Sequence, residues 1–149
     1  MAELTTDSQV ATVLRAARTI VVLGAHEQPS KPAFYVPDYL HGQGYRIVPV
    51  NPQLAGKELW GERVRATLAE VQEGVDVVDV FRRPEVLSTH LEDLLAMSPR
   101  PKLVWLQLGI RNDAFARAVE AAGMDVVQDR CTLADHRRLG IGAVQSKKA

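Results

Sequence analysis

Five short clusters of glycine, polar and cationic residues stand directly after apolar segments of the sequence. The clusters are Gly24-Ala25-His26, Asn51-Pro52, Phe81-Arg82-Arg83-Pro84, Gln107-Leu108-Gly109 and Asp129-Arg130-Cys131. If the apolar segments are parallel strands, their carboxyl ends share one edge of the sheet, where ligands of such sheets bind. The sequence therefore predicts one crevice lined by all five clusters.

The first loop has the composition of an anion site. Gly24 ends a predicted strand, and Lys31 stands just before a predicted helix, with Ser30 and Pro32 on either side of it. Backbone N–H groups at a helix N-terminus attract anions and a lysine adds positive charge, so the loop could hold a pyrophosphate. An ordinary strand-to-helix turn is the alternative interpretation.

Two adjacent guanidinium groups follow the third predicted strand. Arg82 and Arg83 precede Pro84, a residue suited to the first turn of a helix. Guanidinium groups bind phosphate through paired hydrogen bonds, so the 3′-phosphate of coenzyme A or the 2′-phosphate of NADP would suit them. A pair of solvated surface arginines is the alternative. Phe81 either lies against an adenine ring or closes the core.

The first loop departs from the dinucleotide-binding fingerprint. That fingerprint has three glycines in the pattern G-x-G-x-x-G and an acidic residue about 20 positions further on, which binds the ribose. Only Gly24 of the three glycines is present, and the second predicted strand ends in Val50-Asn51-Pro52. NAD is therefore the second choice of ligand.

Apolar segments and helical patterns alternate along the chain. Strands are predicted over 19–24, 45–50, 75–81, 103–108 and 124–127, and helices over 8–18, 33–41, 64–71, 85–97 and 112–122. Repeated βαβ units give a parallel sheet with helices on both faces. The predicted fold class is α/β, a Rossmann-like doubly wound parallel sheet of about five strands. We expect a single domain over 1–149, with an ordered core over 8–139 and a flexible tail over 140–149.

The composition argues against several classes of function. Eighteen basic residues balance eighteen acidic ones, which offers no broad basic surface for nucleic acid or an anionic membrane. No apolar run approaches the roughly 20 residues that span a bilayer, and the N-terminus lacks a signal-peptide pattern. The single cysteine, Cys131, excludes an internal disulfide and any zinc site with several cysteines. We expect a cytoplasmic protein without a metal.

Five motifs in order along the chain resemble one family. They are Gly24-Ala25-His26 with Pro29-Ser30-Lys31-Pro32, Val48-Pro49-Val50-Asn51-Pro52, Asp79-Val80-Phe81-Arg82-Arg83-Pro84, Trp105-Leu106-Gln107-Leu108-Gly109-Ile110 and Asp129-Arg130-Cys131. Over about residues 8–139 the sequence resembles the small stand-alone CoA-binding-domain proteins of bacteria and archaea. Those proteins are similar to the CoA-binding domain of succinyl-CoA synthetase and of other NDP-forming acyl-CoA synthetases.

The resemblance implies a coenzyme A site built on the five clusters. The first loop would hold the CoA phosphates, Asn51 and Phe81 would border the nucleotide, and Gln107 would lie near the pantetheine. The binding residues that it implies are Gly24, Ala25, His26, Ser30, Lys31, Pro32, Val50, Asn51, Pro52, Phe81, Arg82, Arg83, Gln107 and Gly109.

The resemblance does not extend to the catalytic part of the synthetases. Their chemistry depends on a phosphorylated histidine in a second domain, and we find no counterpart of it among the four histidines. We therefore predict a carrier, sensor or regulatory module that binds coenzyme A or an acyl-CoA without catalysis of its own. The alternatives are an NADP-dependent reductase and a CoA-handling transferase. The expected partners are a second copy of the chain or an acyl-CoA-utilising enzyme.

Neither the histidines nor the cysteine is assigned a catalytic role. His26 lies in the first loop and is expected to contact the ligand. His41 and His90 are expected on helix surfaces, and His136 on a polar helix face. Cys131 is expected to be a small buried packing residue. Exchange of its thiol with that of CoA, aided by the arginine before it, is the alternative.

Overall fold

The computed structural model describes residues 2–145 of the chain. Its strands are β1 (Thr19–Leu23), β2 (Arg46–Val50), β3 (Glu58–Leu59), β4 (Glu62–Arg63), β5 (Val77–Val80), β6 (Leu103–Leu106) and β7 (Asp125–Val127). Its α-helices are α1 (Asp7–Ala16), α2 (Pro32–Gly42), α3 (Leu91–Ala96), α4 (Asp113–Ala121) and α5 (Thr132–Arg138). Short 3₁₀ segments cover Pro52–Leu54, Leu68–Glu70 and Pro84–His90.

Five parallel strands form the central sheet, in the order β2-β1-β5-β6-β7. In β1, Val21 and Leu23 face one core, whereas Ile20 and Val22 face the other. Because successive residues of a strand point to opposite faces, four consecutive apolar residues must be covered on both sides. Helices α1, α2 and α5 cover one face, and α3 and α4 cover the other. The predicted doubly wound α/β fold is confirmed.

Side-chain caps mark where two of the helices begin. Thr6 Oγ1 accepts a hydrogen bond from the Gln9 backbone N–H at 3.2 Å, and Gln9 Oε1 accepts one from the Thr6 N–H at 3.1 Å. This reciprocal pair is a capping box before α1. Asn112 Oδ1 accepts from the Phe115 N–H at 3.0 Å before α4. Both helices agree with the sequence prediction to within two residues.

The helix predicted over 85–97 is wrong in its first half. A 3₁₀ segment, Pro84–His90, leads into the shorter α3. Serine, threonine and histidine have low helix propensity, and all three stand together just before α3. Thr89 Oγ1 also donates a hydrogen bond to the carbonyl oxygen of Val86 at 2.6 Å, which competes with regular helical bonding.

The helix predicted over 64–71 is wrong, because this range holds only one 3₁₀ turn and follows a small hairpin of β3 and β4. The two strands pair antiparallel, and the chain after β4 then bonds to the edge of β2. Glu62 of β4 is buried and accepts a hydrogen bond from Arg46 Nε at 2.9 Å, which fixes the hairpin against the central sheet. Only Leu68–Glu70 is helical here, as a single 3₁₀ turn.

His136 lies in the core, so its prediction as part of a polar helix face is wrong. Its Nδ1 is 2.8 Å from the Tyr39 hydroxyl oxygen, and its Nε2 is 2.9 Å from the carbonyl oxygen of Gly142. Burial lowers the pKa of His136 and therefore favours the neutral ring. These hydrogen bonds join α5 to α2 and to the segment that follows α5.

Residues 140–145 lie against the domain. Ile141 and Val144 pack on the same core as α2, and the Val144 N–H donates a hydrogen bond to the Gln43 carbonyl oxygen at 2.7 Å. This part of the predicted flexible tail therefore makes contacts with the domain. Residues 146–149 lie outside the described part of the chain.

Asp76 ties the end of α1 to the start of β1. Its carboxylate accepts hydrogen bonds from the N–H groups of Arg18 at 2.8 Å and Thr19 at 3.0 Å, and pairs with Lys102 Nζ at 3.1 Å. Burial alone would raise the pKa of Asp76, but these donors hold it below its ordinary value.

We expect Asp76→Ala to lower the free energy of unfolding by roughly 2 to 3 kcal/mol, because two backbone donors lose their acceptor.

Urea unfolding at neutral pH measures the effect of Asp76→Ala. Glu92→Ala, which removes an exposed carboxylate from α3, is the matched control. Because the pKa of Asp76 is lowered, its contribution is present above the ordinary pKa and is lost as the pH falls through the lowered value. A loss of less than about 0.5 kcal/mol at neutral pH would contradict this role.

Candidate functional site

A cavity of about 560 Å³ opens at the carboxyl edge of the sheet. Strand order reverses between β1 and β5, and ligands of doubly wound sheets bind where the order reverses. The loops after β1, β5, β6 and β7 all reach this cavity. Its lining residues are Gly24, His26, Lys31, Pro32, Ala33, Tyr35, Val36, Phe81, Arg82, Arg83, Pro84, Gln107, Leu108, Gly109, Ile110 and Cys131.

Most of the predicted binding residues are among those lining residues. A neighbouring cavity of about 120 Å³ is lined in part by the other cluster, Val50, Asn51 and Pro52. The two cavities share Gly24 and Arg82. Ala25, which is buried, and Ser30, which is exposed, line neither of them.

Asn51 joins the first loop to the loop after β2. Its Nδ2 donates a hydrogen bond to the Ala25 carbonyl oxygen at 2.8 Å, and its Oδ1 accepts one from the Gln53 N–H at 2.9 Å. The N–H groups of Gly24 and Ala25 both donate to the Val50 carbonyl oxygen, at 2.9 and 3.3 Å. These bonds fix the path of the chain as it leaves β1.

Gly24 allows the ends of β1 and β5 to meet. Its φ is +88°, in the left-handed region that favours glycine. A Cβ at this position would lie 2.8 Å from the Phe81 carbonyl oxygen and 3.2 Å from Arg82 Cδ. Because the first of these contacts is with backbone, a larger residue would push the two loops apart.

Three cationic side chains line the cavity, and none of its lining residues is acidic. Lys31 is the N-cap residue of α2, so its charge and the helix dipole both favour an anion there. Arg82 Nε lies 3.2 Å from His90 Nε2. Burial, together with the charge of Arg82, lowers the pKa of His90, whose neutral ring can accept this hydrogen bond. With Arg83, these groups provide the charge that phosphates require.

The cavity also has an apolar part, of which the sequence analysis placed only Leu108 in the crevice. Tyr35 is 45% exposed and Leu108 is 70% exposed, although both are large hydrophobic residues. Val36 and Ile110 line the same space. Single exposed apolar residues have no sequence pattern of their own, so only the fold reveals that these lie together. Cations beside apolar groups suit a ligand that has both an anionic and an apolar part.

Asp79 is a buried acid that the sequence analysis did not single out for a role. It lies on β5 and contacts Gln107, which lines the cavity, at 2.6 Å between Oδ1 and Nε2. Burial raises the pKa of Asp79 to about 7, although hydrogen bonds from Gln107 and Thr132 oppose this shift. An acidic residue inside an otherwise apolar strand is the signal that could have identified it.

Cys131 packs against the core but lines the cavity and is partly exposed, so the expectation that it is buried is wrong. It is the N-cap residue of α5. The preceding Arg130 pairs with Asp135 at 2.7 Å and with Asp7 at 2.8 Å, so its guanidinium group is engaged by two carboxylates. Exchange between the Cys131 thiol and that of CoA stays a prediction.

Residues 2–145 hold no cluster of side chains for a metal ion and no helix suited to a bilayer. No three His, Cys, Asp or Glu side chains in this range lie close enough to hold a metal ion. None of the helices in this range is both long and apolar enough to cross a bilayer.

Comparison with known protein families matches residues 18–137 to a CoA binding domain. The chain belongs to the CoA-binding-domain family. The predicted resemblance is therefore confirmed. Within curated proteins, the uncharacterized protein YneT of Bacillus subtilis is 28% identical over 129 residues, which are 87% of this chain and 93% of YneT.

Solved structures share the fold of this CoA-binding-domain protein. Cell-free ID.343 from Thermus thermophilus is 51% identical with a TM-score of 0.86, over 91% of this chain and 99% of that one. A hypothetical protein from Pyrococcus horikoshii OT3 is 28% identical with a TM-score of 0.82, over 91% and 92% of the two chains.

A large synthetase contains the same fold as one part of its chain. The dinucleotide forming acetyl-coenzyme A synthetase 1 of Ca. Korarchaeum cryptofilum, solved with phosphate and ADP, is 20% identical with a TM-score of 0.63. The match covers 78% of this chain and 27% of the synthetase. At that identity the likeness shows the fold alone.

We expect Gly24→Ala to lower the free energy of unfolding by roughly 1 to 3 kcal/mol more than Gly56→Ala. Both glycines have nearly the same positive φ, +88° and +89°, so the backbone strain of the substitution is matched. A Cβ at Gly56 meets nothing within 4 Å, whereas a Cβ at Gly24 meets the Phe81 carbonyl oxygen at 2.8 Å. Urea unfolding measures both variants, and equal losses would contradict the close approach.

We expect Asp79→Asn to change how stability depends on pH. The unfolded chain releases this proton near pH 4, whereas the folded protein keeps it until about pH 7. The free energy of unfolding of the wild type should therefore fall relative to that of Asp79→Asn as the pH rises from about 4 to about 7. Burial also lowers the pKa of His136, and comparing the two proteins by their difference removes the contribution of this histidine. A difference that stays constant would contradict the raised pKa.

Proposed function

We propose that this protein binds coenzyme A or an acyl-CoA in the crevice at the carboxyl edge of its sheet. The observation that carries the proposal is the cation-lined cavity where the strand order reverses. Cationic side chains there can form charge-assisted hydrogen bonds with phosphates. Membership of the CoA-binding-domain family supports coenzyme A as the ligand. The chain acts in the cytoplasm as a carrier, sensor or regulatory module without catalysis of its own.

The residues around the cavity suggest how the ligand lies. The pyrophosphate sits at the N-terminus of α2 beside Lys31, and Arg82 and Arg83 hold the 3′-phosphate. The pantetheine arm runs past Gln107 and Gly109. The exposed apolar side chains at the mouth then meet the thiol end of the ligand, where an acyl group would be attached.

The exposed apolar residues also suggest a partner. Tyr35 and Leu108 stand at the mouth of the cavity, where a second copy of the chain or an acyl-CoA-utilising enzyme could cover them. A regulatory module needs such a contact, because the occupied and empty states must differ in what they bind. Size-exclusion chromatography with and without CoA detects either kind of assembly that depends on the ligand.

We expect the wild-type protein to bind CoA at least tenfold more tightly than dephospho-CoA, because the 3′-phosphate makes charge-assisted hydrogen bonds to guanidinium groups. Titration calorimetry with CoA, dephospho-CoA, NAD and NADP in one buffer measures this preference. A preference for NADP would instead favour a reductase. Binding to none of the four would contradict the proposal.

We expect Lys31→Ala and Arg82→Ala each to weaken CoA binding by roughly 1 to 3 kcal/mol. If Arg82 holds the 3′-phosphate, its substitution should have much less effect on dephospho-CoA, whereas Lys31→Ala should weaken both ligands. Arg15→Ala is the matched control, because Arg15 is an exposed cation on α1 and does not line the cavity. Unchanged affinity in both cavity variants would overturn this placement of the phosphates.

A further inference from the structure

Three buried side chains form a closed hydrogen-bond network at the wall of the cavity. Gln107 Nε2 donates to Asp79 Oδ1 at 2.6 Å and to Thr132 Oγ1 at 2.8 Å. The Thr132 hydroxyl donates to Asp79 Oδ2 at 3.1 Å. Asp79 belongs to β5, Gln107 follows β6, and Thr132 is the first residue of α5. The network therefore joins three elements that border the cavity.

The network fixes the direction in which the Gln107 amide points. A side-chain amide has two N–H donors on its nitrogen and one acceptor oxygen. Both donors are used, by Asp79 and by Thr132. Among the described residues, no group donates a hydrogen bond to Gln107 Oε1. In the same part of the chain, every fully buried side-chain oxygen or nitrogen has a hydrogen-bond partner. Oε1 is therefore not fully buried, and the open space that Gln107 lines is the cavity.

The reverse orientation of this amide is unfavourable. Above about pH 7, where Asp79 is ionised, rotation by half a turn would place Oε1 against the Asp79 carboxylate, so that two acceptors would face each other. Asp79 and Thr132 are both 0% exposed, and water cannot replace the lost donors there. Buried polar groups without partners are strongly disfavoured, which holds the amide in one orientation.

We propose that Asp79 and Thr132 are positioning residues that hold the Gln107 amide oxygen toward the cavity, so that this point of the site accepts a hydrogen bond from the ligand. The identity of the ligand rests on the proposed function. In coenzyme A, the groups that meet this requirement are the amide N–H groups of the pantetheine arm. A phosphate oxygen is disfavoured at this point, because it would place an acceptor opposite Oε1.

The two kinds of polar group in the cavity then set the direction of the ligand. Lys31 and Arg82 are donors and select phosphate, whereas Gln107 is an acceptor and selects an N–H group. A ligand with its phosphates at one end and amides at the other can satisfy both only in one direction. The network thus contributes to specificity without any contact between the ligand and Asp79 or Thr132.

Calorimetry at a pH above the raised pKa of Asp79, which is about 7, tests this proposal with two probes and two variants. Thr132→Val keeps the size of the side chain and removes the hydroxyl, and Thr132→Ser keeps the hydroxyl. The probes are CoA and adenosine 3′,5′-bisphosphate, which has phosphates but no pantetheine arm. In Thr132→Val we expect the affinity for CoA to fall about tenfold and the affinity for the bisphosphate to change less than about twofold. Thr132→Ser should retain the affinity of the wild type for both.

The outcomes separate this inference from the proposed function. If the wild type binds CoA and Thr132→Val binds it equally well, or loses both probes alike, the positioning role is wrong and the CoA site stands. If the wild type does not bind CoA, the proposed function fails, and the ligand-free protein still tests the network. Nitrogen-15 NMR should then show slow hydrogen exchange of both Gln107 side-chain amide protons in the wild type and Thr132→Ser, and faster exchange in Thr132→Val. Fast exchange in the wild type would overturn the proposal.

Discussion

The close approach of Gly24 to the Phe81 carbonyl oxygen is the contact on which the crevice depends. A parallel sheet buried on both faces leaves its carboxyl edge as the place where polar groups reach open space. The loops after β1 and β5 leave that edge side by side, and a Cβ at Gly24 would lie 2.8 Å from the opposing carbonyl oxygen. The missing side chain lets the loop after β1 and the loop after β5 form one wall.

The polar groups of the crevice differ according to how much water can reach them. Lys31, Arg82 and Arg83 are exposed, where a charge costs little, and they can still attract phosphate. The acid of the network, Asp79, is fully buried, and burial raises its pKa to about 7. A buried carboxyl group remains stable because Gln107 and Thr132 supply its hydrogen bonds. The exposed charges can therefore attract an anion, and the buried hydrogen bonds of the network fix the orientation of the Gln107 amide.

Local sequence patterns predicted the sheet and most of the residues that line the cavity. The features that were not predicted, such as the burial of His136 and the β3–β4 hairpin, depend on contacts between residues far apart in the sequence. Each strand of the sheet is a short apolar run, and a parallel sheet brings the residues after those runs together whatever the details of packing. The burial of His136 depends instead on Tyr39, 97 positions away. The β3–β4 hairpin depends on the ion pair between Glu62 and Arg46. Neither partner can be chosen from the sequence alone.

The hydrogen bonds of Asn51 limit which nucleotide this protein can recognise. The fold alone does not decide the ligand. In dinucleotide-binding domains, an acidic residue near this position binds the ribose. Here Asn51 Nδ2 donates to the Ala25 carbonyl oxygen at 2.8 Å and Oδ1 accepts from the Gln53 N–H at 2.9 Å. The side chain is thus committed to the path of the loops. In the proposed CoA site, recognition of the nucleotide would then fall to Lys31, Arg82 and Arg83, which favours a ligand with a phosphate outside its pyrophosphate.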